Sequence, residues 1–249
     1  MCKHASGDLL AWLDSDDIWH PRYLEVQRQV YVECPRAVAY FTAHVNFSGG
    51  ANYEWESDPA DVQARIEVIQ SLPFLNRYNR APGSFMCLSH CCIPRHVFDS
   101  FGPEPFKLKM AEDLYFFNLA VPAGPVVFIP NSMVAYRVRE DSLSSDRLNL
   151  TQSEVQAFEL LIDRYSSLSG EFKRAFKQSF ASKRRLYAKV LLGAEQPGPA
   201  RAQLRRSLGC LDPISLSKSI RLLLLSYLPV VLQPSWPSSQ RQWPKAPHE

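Results

Sequence analysis

The 249-residue chain lacks any apolar run long enough to cross a bilayer. The longest, Leu222–Leu232, is interrupted by Ser226, Tyr227 and Pro229 and falls short of the ~20 residues a span requires. Its first residues, Met1-Cys2-Lys3-His4, turn acidic within a few positions and do not read as a signal peptide. Glycine is sparse, at 10 residues with no G-X-Y period, which excludes a collagen-like chain. Charged residues make up only 21% against 12% aromatics, which excludes a disordered composition. Neither heptads nor repeats occur. The chain has six cysteines but no second Cys-x-x-Cys pair, so Cys87, His90, Cys91, Cys92 and His96 read as part of a strand rather than a zinc centre. Irregular spacing in a chain this long predicts thiols in a reducing compartment, hence a cytoplasmic protein.

What is present divides unevenly. Residues 1–149 hold 13 Lys and Arg against 18 Asp and Glu, and residues 150–249 hold 15 against 7, leaving −5 and +8. An acidic front suits cation chemistry, whereas a basic rear suits an anionic surface. No nucleic-acid-binding module accompanies the basic residues, so nucleic acid is not an expected partner.

Strands and helices alternate in the front part. Leu9–Leu13 is a short apolar run that reads as a buried strand. Pro21 sits at an expected first helical position, and helical spacing continues over Tyr23–Val32. Ala37–Thr42 and Val45–Phe47 read as a strand or hairpin arm ended by Gly49-Gly50. Asp58-Pro59 predicts a helix through about Leu72, Ser84–Ile93 a strand, Pro94–Phe101 a short helix, and Glu112–Ala120 another. Val126–Ile129 and Met133–Val138 read as two strands around a turn at Pro130-Asn131. The pattern is α/β. After Asp146 only helical patterns remain, over Ser153–Leu168, Glu171–Leu192, Pro199–Leu208 and Pro213–Tyr227. A boundary is expected near 148, giving a front domain over 1–148 and a helical, basic extension over 149–249, frayed from about 233.

Asp14-Ser15-Asp16-Asp17 follows the first strand directly. Three carboxylates in four residues repel one another unless a cation joins them, and hard divalent ions take oxygen ligands. In open α/β sheets ligands sit beyond strand ends. Equally, one aspartate could cap the next helix while the others stay solvated. Glu112-Asp113 reads as a pair at a helix start, where the macrodipole stabilises a carboxylate, and only one of the two can face a given site.

The string from Ala5 to Trp19, Ala-Ser-Gly-Asp-Leu-Leu-Ala-Trp-Leu-Asp-Ser-Asp-Asp-Ile-Trp, followed by Pro21 and Leu24-Glu25, resembles the central segment of family 2 glycosyltransferases, whose fold is GT-A. Phe101-Gly102 and Glu112-Asp113-Leu114-Tyr115-Phe116-Phe117 look like a later segment of that family. Val134–Val138 with Asp141-Ser142-Leu143-Ser144 is similar to its closing strand and loop. The resemblance implies a partial GT-A, Rossmann-like domain that transfers a sugar from a nucleotide-sugar, with inversion, to a carbohydrate or lipid-linked acceptor hydroxyl, as in polysaccharide biosynthesis. It makes Asp113 the expected catalytic base, with Glu112 orienting the acceptor. Asp14, Asp17 and Arg137 would contact the donor, and Asp16 with Asp14 would hold Mn²⁺ or Mg²⁺.

The resemblance departs from the family at its start. Members carry further strands upstream that contact the nucleotide base, whereas this sequence opens almost on the Gly7-Asp8 strand. Leu9–Leu13 is therefore expected at a sheet edge, and an inactive or merely partner-binding fragment is an alternative. A haloacid-dehalogenase-type phosphatase is a further one, with Asp14 and Asp16 in its Asp-x-Asp, then Ile18, Lys109 and Glu112-Asp113. In the rear, Lys183-Arg184-Arg185, Arg201, Arg205-Arg206, Lys218 and Arg221 flank apolar faces. They predict either peripheral contact with the anionic inner face of a membrane or a bundle with a solvated basic face.

Overall fold

The computed structural model describes residues 5–48, 52–55, 66–80, 87–101, 108, 110–139, 142–210, 212–228 and 233–237. Gly49-Gly50, the expected helix start at Asp58, Ser84, Gly102, Lys109, Asp141 and the chain beyond 237 lie outside them. Two compact units form, one from residues 1–105 with 116–139, the other from 106–115 with 140–249.

The first unit is built on a mixed sheet. Its strands are β1 (Leu9–Ala11), β2 (Ile18–Trp19), β3 (Ala39–Phe47), β4 (Glu67–Ile69), β5 (Cys91–Pro94) and β6 (Val126–Arg137), in the order β1-β5-β3-β6-β2, with β4 also on β6. Only β3 and β6 run parallel; the other pairings are antiparallel. Alternation along β3 sends neighbouring aromatics to opposite faces. Tyr40 joins Val127, Ile129, Met133 and Cys92 against Tyr23, Val26 and Val30 of helix α1 (Tyr23–Glu33). Phe41 faces the other way, 5.4 Å from Phe74 of α2 (Ser71–Arg80) and 4.9 Å from Phe117 of α4 (Glu112–Ala120). A helix thus covers each face, as a partial GT-A α/β domain requires.

Three expectations change. The helix expected over 58–72 is instead, where described, strand β4 and then α2, which starts at Ser71. The apolar residues Val68 and Ile69 pair with Val127 and Val126 of β6, and this tertiary pairing overrides local spacing. Val126–Arg137 is one strand rather than two around a turn. Register shifts between Thr42 and His44 absorb Pro130-Asn131 as a bulge, where a proline without an N–H costs no ladder bond. Pro21 lies before the N-cap residue Arg22 rather than at the first helical position. Finally, among the described residues β1 pairs with β5 alone and keeps only Leu10 buried, so within them it is an edge strand.

The second unit carries α5 (Arg147–Ser166), α6 (Gly170–Gly193), α7 (Pro197–Ser207) and α8 (Pro213–Leu225). Phe158, Phe176, Phe180 and Tyr165 stack between α5 and α6. Ala188, Leu191, Leu192, Ala200 and Leu204 form a second cluster. The basic run at 183–185 is turned partly inward. Lys183 is buried on Glu154, Arg184 pairs with Glu159 across the Phe180 ring, and buried Arg185 donates to the Ser215 and Ser219 hydroxyls. Lys218 and Arg221 on α8 remain exposed.

Candidate functional site

The acidic segment forms the turn between β1 and β2, closed by the Asp17 amide donating to the Asp14 carbonyl at 3.1 Å. A distant segment fastens it. Ser89, fully buried in the single helical turn before β5, accepts the Asp14 amide on its hydroxyl at 3.0 Å, and its carbonyl accepts the Trp19 indole N–H at 2.8 Å. From the other side, the end of β6 delivers two arginines. The Arg137 amide donates to Asp17 Oδ1 at 3.1 Å, and its side chain donates to the Asp16 carbonyl at 2.9 Å while lying over Phe47. Arg139 pairs with the Asp16 carboxylate at 2.9 Å.

The three carboxylates therefore differ. Asp16 already has a cation beside it. Asp14 is exposed, and partial desolvation of its carboxyl raises its pKa, with a Ser89 hydrogen bond opposing and the Asp16 charge adding. Asp17 is 7% exposed, and its Oδ2 has no hydrogen-bond donor among the described residues. Burial pushes its pKa up to about 6, against the lowering effect of the Arg137 amide and the Ser89 hydroxyl and with the charges of Asp14 and Asp16.

Cys87 completes the arrangement. A carboxylate oxygen from each of Asp14 and Asp17 and the Cys87 Sγ lie within 4.8 Å of one another. The donor atoms of a four-coordinate ion at ~2.0–2.3 Å bond lengths stand about 3–4 Å apart, so small side-chain rotations bring these three onto one ion. Asp17 Oδ2, buried and without a donor, is what a cation would satisfy. The residues fit a divalent ion, but in the combination Asp14, Asp17 and Cys87; Asp16, expected as its chief ligand, is outside this group and on Arg139. Spacing alone could not pair Cys87 with the aspartates, because the contact joins segments some seventy residues apart.

Beside the cluster, His90 stacks on His44 at 4.4 Å, with Tyr136 edge-on to both. His90 Nδ1 accepts the Cys87 amide, and burial lowers its pKa to about 3, so the ring is neutral. The Tyr136 hydroxyl is pushed up to about 12, first by burial and then by repulsion from Cys87, ionised at the alkaline pH where Tyr136 itself titrates, and from the three aspartates.

Glu112 and Asp113 open α4 within the segment grouped with the second unit. Asp113 Oδ1 accepts the Leu114 amide at 2.6 Å. The residue before them, Ala111, is buried with φ 60°, a left-handed conformation unusual for a side chain bearing a Cβ.

A search of curated proteins finds no match to the chain. The family model described as Glycosyl transferase family 2 matches residues 1–100, which include the acidic turn, Cys87 and Ser89 but neither Asp113 nor Arg137. Over those residues, on the sheet that presents the acidic turn, the chain is similar to family 2 glycosyltransferase domains.

Proposed function

We propose that this chain serves the transfer of a sugar from a nucleotide-sugar to an acceptor hydroxyl, with inversion. The observation that carries the reading is the convergence, within the segment matching the family, of two carboxylates and a thiol on one point at a strand end. Asp14, Asp17 and Cys87 would hold a divalent ion, whose positive charge offsets that of a departing diphosphate. In the fold, Arg137 is positioned by its own contacts with Asp17, Asp16 and Phe47, and a guanidinium so fixed suits phosphate oxygens. The acceptor O–H gives its proton to the Asp113 carboxylate as the new C–O bond forms at the anomeric carbon and the bond to the diphosphate breaks. The family resemblance is what supports that role, with Glu112 beside it for the acceptor.

The test is turnover of UDP- and GDP-sugars with Mn²⁺ or Mg²⁺ by the purified chain, compared with Asp113→Asn. Base catalysis is worth about 10²–10⁴-fold, so Asp113→Asn should lose at least two orders of magnitude in kcat while nucleotide binding persists. Near-normal turnover in the variant would remove Asp113 from the reading. Absence of any turnover by the parent chain, with nucleotide binding intact, would favour a binding role, to which the single-sided pairing of β1 lends support.

A peripheral membrane contact rests on a separate observation. On α8, Ile214, Ile220 and Leu224 are exposed beside Lys218 and Arg221. No helix among the described residues is long and apolar enough to cross a membrane. Co-sedimentation with phosphatidylserine vesicles, lost at high salt, tests this contact.

A further inference from the structure

We infer that Cys87 is a metal ligand, and that its sulfur makes the acidic turn a site for a thiophilic divalent ion such as Zn²⁺ or Co²⁺ rather than for Mg²⁺. The inference rests on the reading that a cation binds at this turn, and adds which of the chain's atoms choose it. The Cys87 Sγ shares one point with carboxylate oxygens of Asp14 and Asp17, within 4.8 Å. The buried Asp17 Oδ2 without a donor is an independent mark of a missing positive partner.

The chain holds the thiol in place. The Cys87 amide donates to His90 Nδ1, and the Cys87 sulfur accepts from the His90 amide in the turn that leads into β5. His90 is itself stacked on His44, and Ser89 in the same turn is tied to Asp14. These contacts fix the sulfur beside the two aspartates. Arg139 meanwhile occupies the Asp16 carboxylate, which removes the oxygen ligand an all-carboxylate site for a hard ion would use.

Ligand softness then decides the ion. Mg²⁺ demands oxygen and octahedral geometry and holds its water tightly, whereas a mixed sulfur and carboxylate set suits zinc and cobalt. On binding, the Cys87 S–H bond breaks, its proton passes to buffer, and the sulfur lone pair forms the bond to the ion. No oxidation state changes.

The experiment is a titration of the full chain, freed of metal with chelator, with Co²⁺, Zn²⁺ and Mg²⁺. Absorption and calorimetry are recorded for the parent, Cys87→Ser and Asp17→Asn, with circular dichroism confirming that each is folded. The parent should show a sulfur-to-cobalt charge-transfer band, release close to one proton per ion across buffers of different ionisation heat, and bind Zn²⁺ at least about tenfold more tightly than Mg²⁺. Cys87→Ser should lose the band and the proton and weaken Zn²⁺ by about tenfold or more while leaving Mg²⁺ unchanged. Should Cys87→Ser fail to fold, protection of Cys87 from alkylation by Zn²⁺ in the parent, read by mass spectrometry, gives the same answer. Co²⁺ binding that Asp17→Asn weakens, but with no sulfur band and no effect of Cys87→Ser, overturns the inference and leaves the cation site standing. If none of the three ions binds the parent, both fail.

Discussion

Asp17→Asn should stabilise the metal-free protein at neutral pH, and the gain should disappear in acid. Asp17 is 7% exposed; Oδ1 accepts the Arg137 amide and Oδ2 has no donor. Burial, helped by the charges of Asp14 and Asp16, raises its pKa from 3.8 to about 6 despite two hydrogen bonds that favour the anion. A shift of about two units, at about 1.36 kcal/mol each, amounts to about 3 kcal/mol against the folded state. The sign follows from proton counting. Between pH 3.8 and 6 the folded chain keeps a proton that the unfolded chain has released, so stability falls as pH rises through this window and the full cost is present above it. An asparagine keeps the Oδ1 acceptor, carries no charge, and removes that cost. Urea titrations in chelator at pH 7.5 and near pH 3.8 should therefore show the variant ahead by up to about 3 kcal/mol in the first and level with the parent in the second. Zn²⁺ at a thousand times its Kd should reverse the order at pH 7.5, since it adds about 4.1 kcal/mol to the form that binds it. A variant that is less stable at pH 7.5 in chelator, or a gain independent of pH, would refute the account of Asp17 as a buried carboxylate awaiting a cation.

Asn79 and Asn118 are buried and exchange two amide hydrogen bonds, at 2.9 and 3.0 Å. Either single change to leucine should cost about 1–3 kcal/mol through the stranded partner, and the double variant should cost less than the sum in a denaturant cycle. Lys183→Met should destabilise the helical unit by about 3–5 kcal/mol, because Glu154 is left charged and largely enclosed; adding Glu154→Leu should recover most of it in thermal melts. Ala111→Gly should stabilise by up to about 1 kcal/mol in the same assay, since the left-handed φ of 60° costs glycine nothing.

The acidic turn was legible because an apolar run, three aspartates and a helix start leave little freedom within twenty residues. The four rear helices were legible from amphipathic spacing, with ends shifted by a few residues. Strand β6 was not, since Pro130-Asn131 is chemically a turn signal and becomes a bulge only because β3 lies alongside to hold the register. Strand β4 likewise owes its form to its partner β6 rather than to its own three residues. Burial of Lys183 and Arg185 was hidden for a related reason. A run of basic residues defaults to solvent unless an acid or hydroxyls on another helix meet it, and Glu154 and Ser215 are distant in sequence. Cys87 escaped because its local neighbours, two more cysteines and a histidine, pointed to a zinc pattern that fails on spacing. The aspartates beside it lie in the turn after β1, some seventy residues away in sequence.

Three like charges in four residues are tolerated here because each is handled differently. Asp16 is neutralised by Arg139 within the fold, at a half-exposed pair that contributes little to stability. Asp14 is left toward water, held by its backbone to Ser89. Asp17 is buried against the end of β6 with one oxygen bonded and the other not. A sequence selected only for folding would gain by replacing Asp17 or by moving an arginine onto it. Two arginines are already within reach of this turn, and they serve the Asp16 carboxylate, the Asp16 carbonyl and the Asp17 backbone-facing oxygen instead. A carboxylate oxygen of Asp17 lies within 4.8 Å of ligand atoms of both Asp14 and Cys87. Local instability retained where a rearrangement of existing residues would remove it is the physical signature of a site. It is the observation on which the proposed cation site at the turn between β1 and β2 rests.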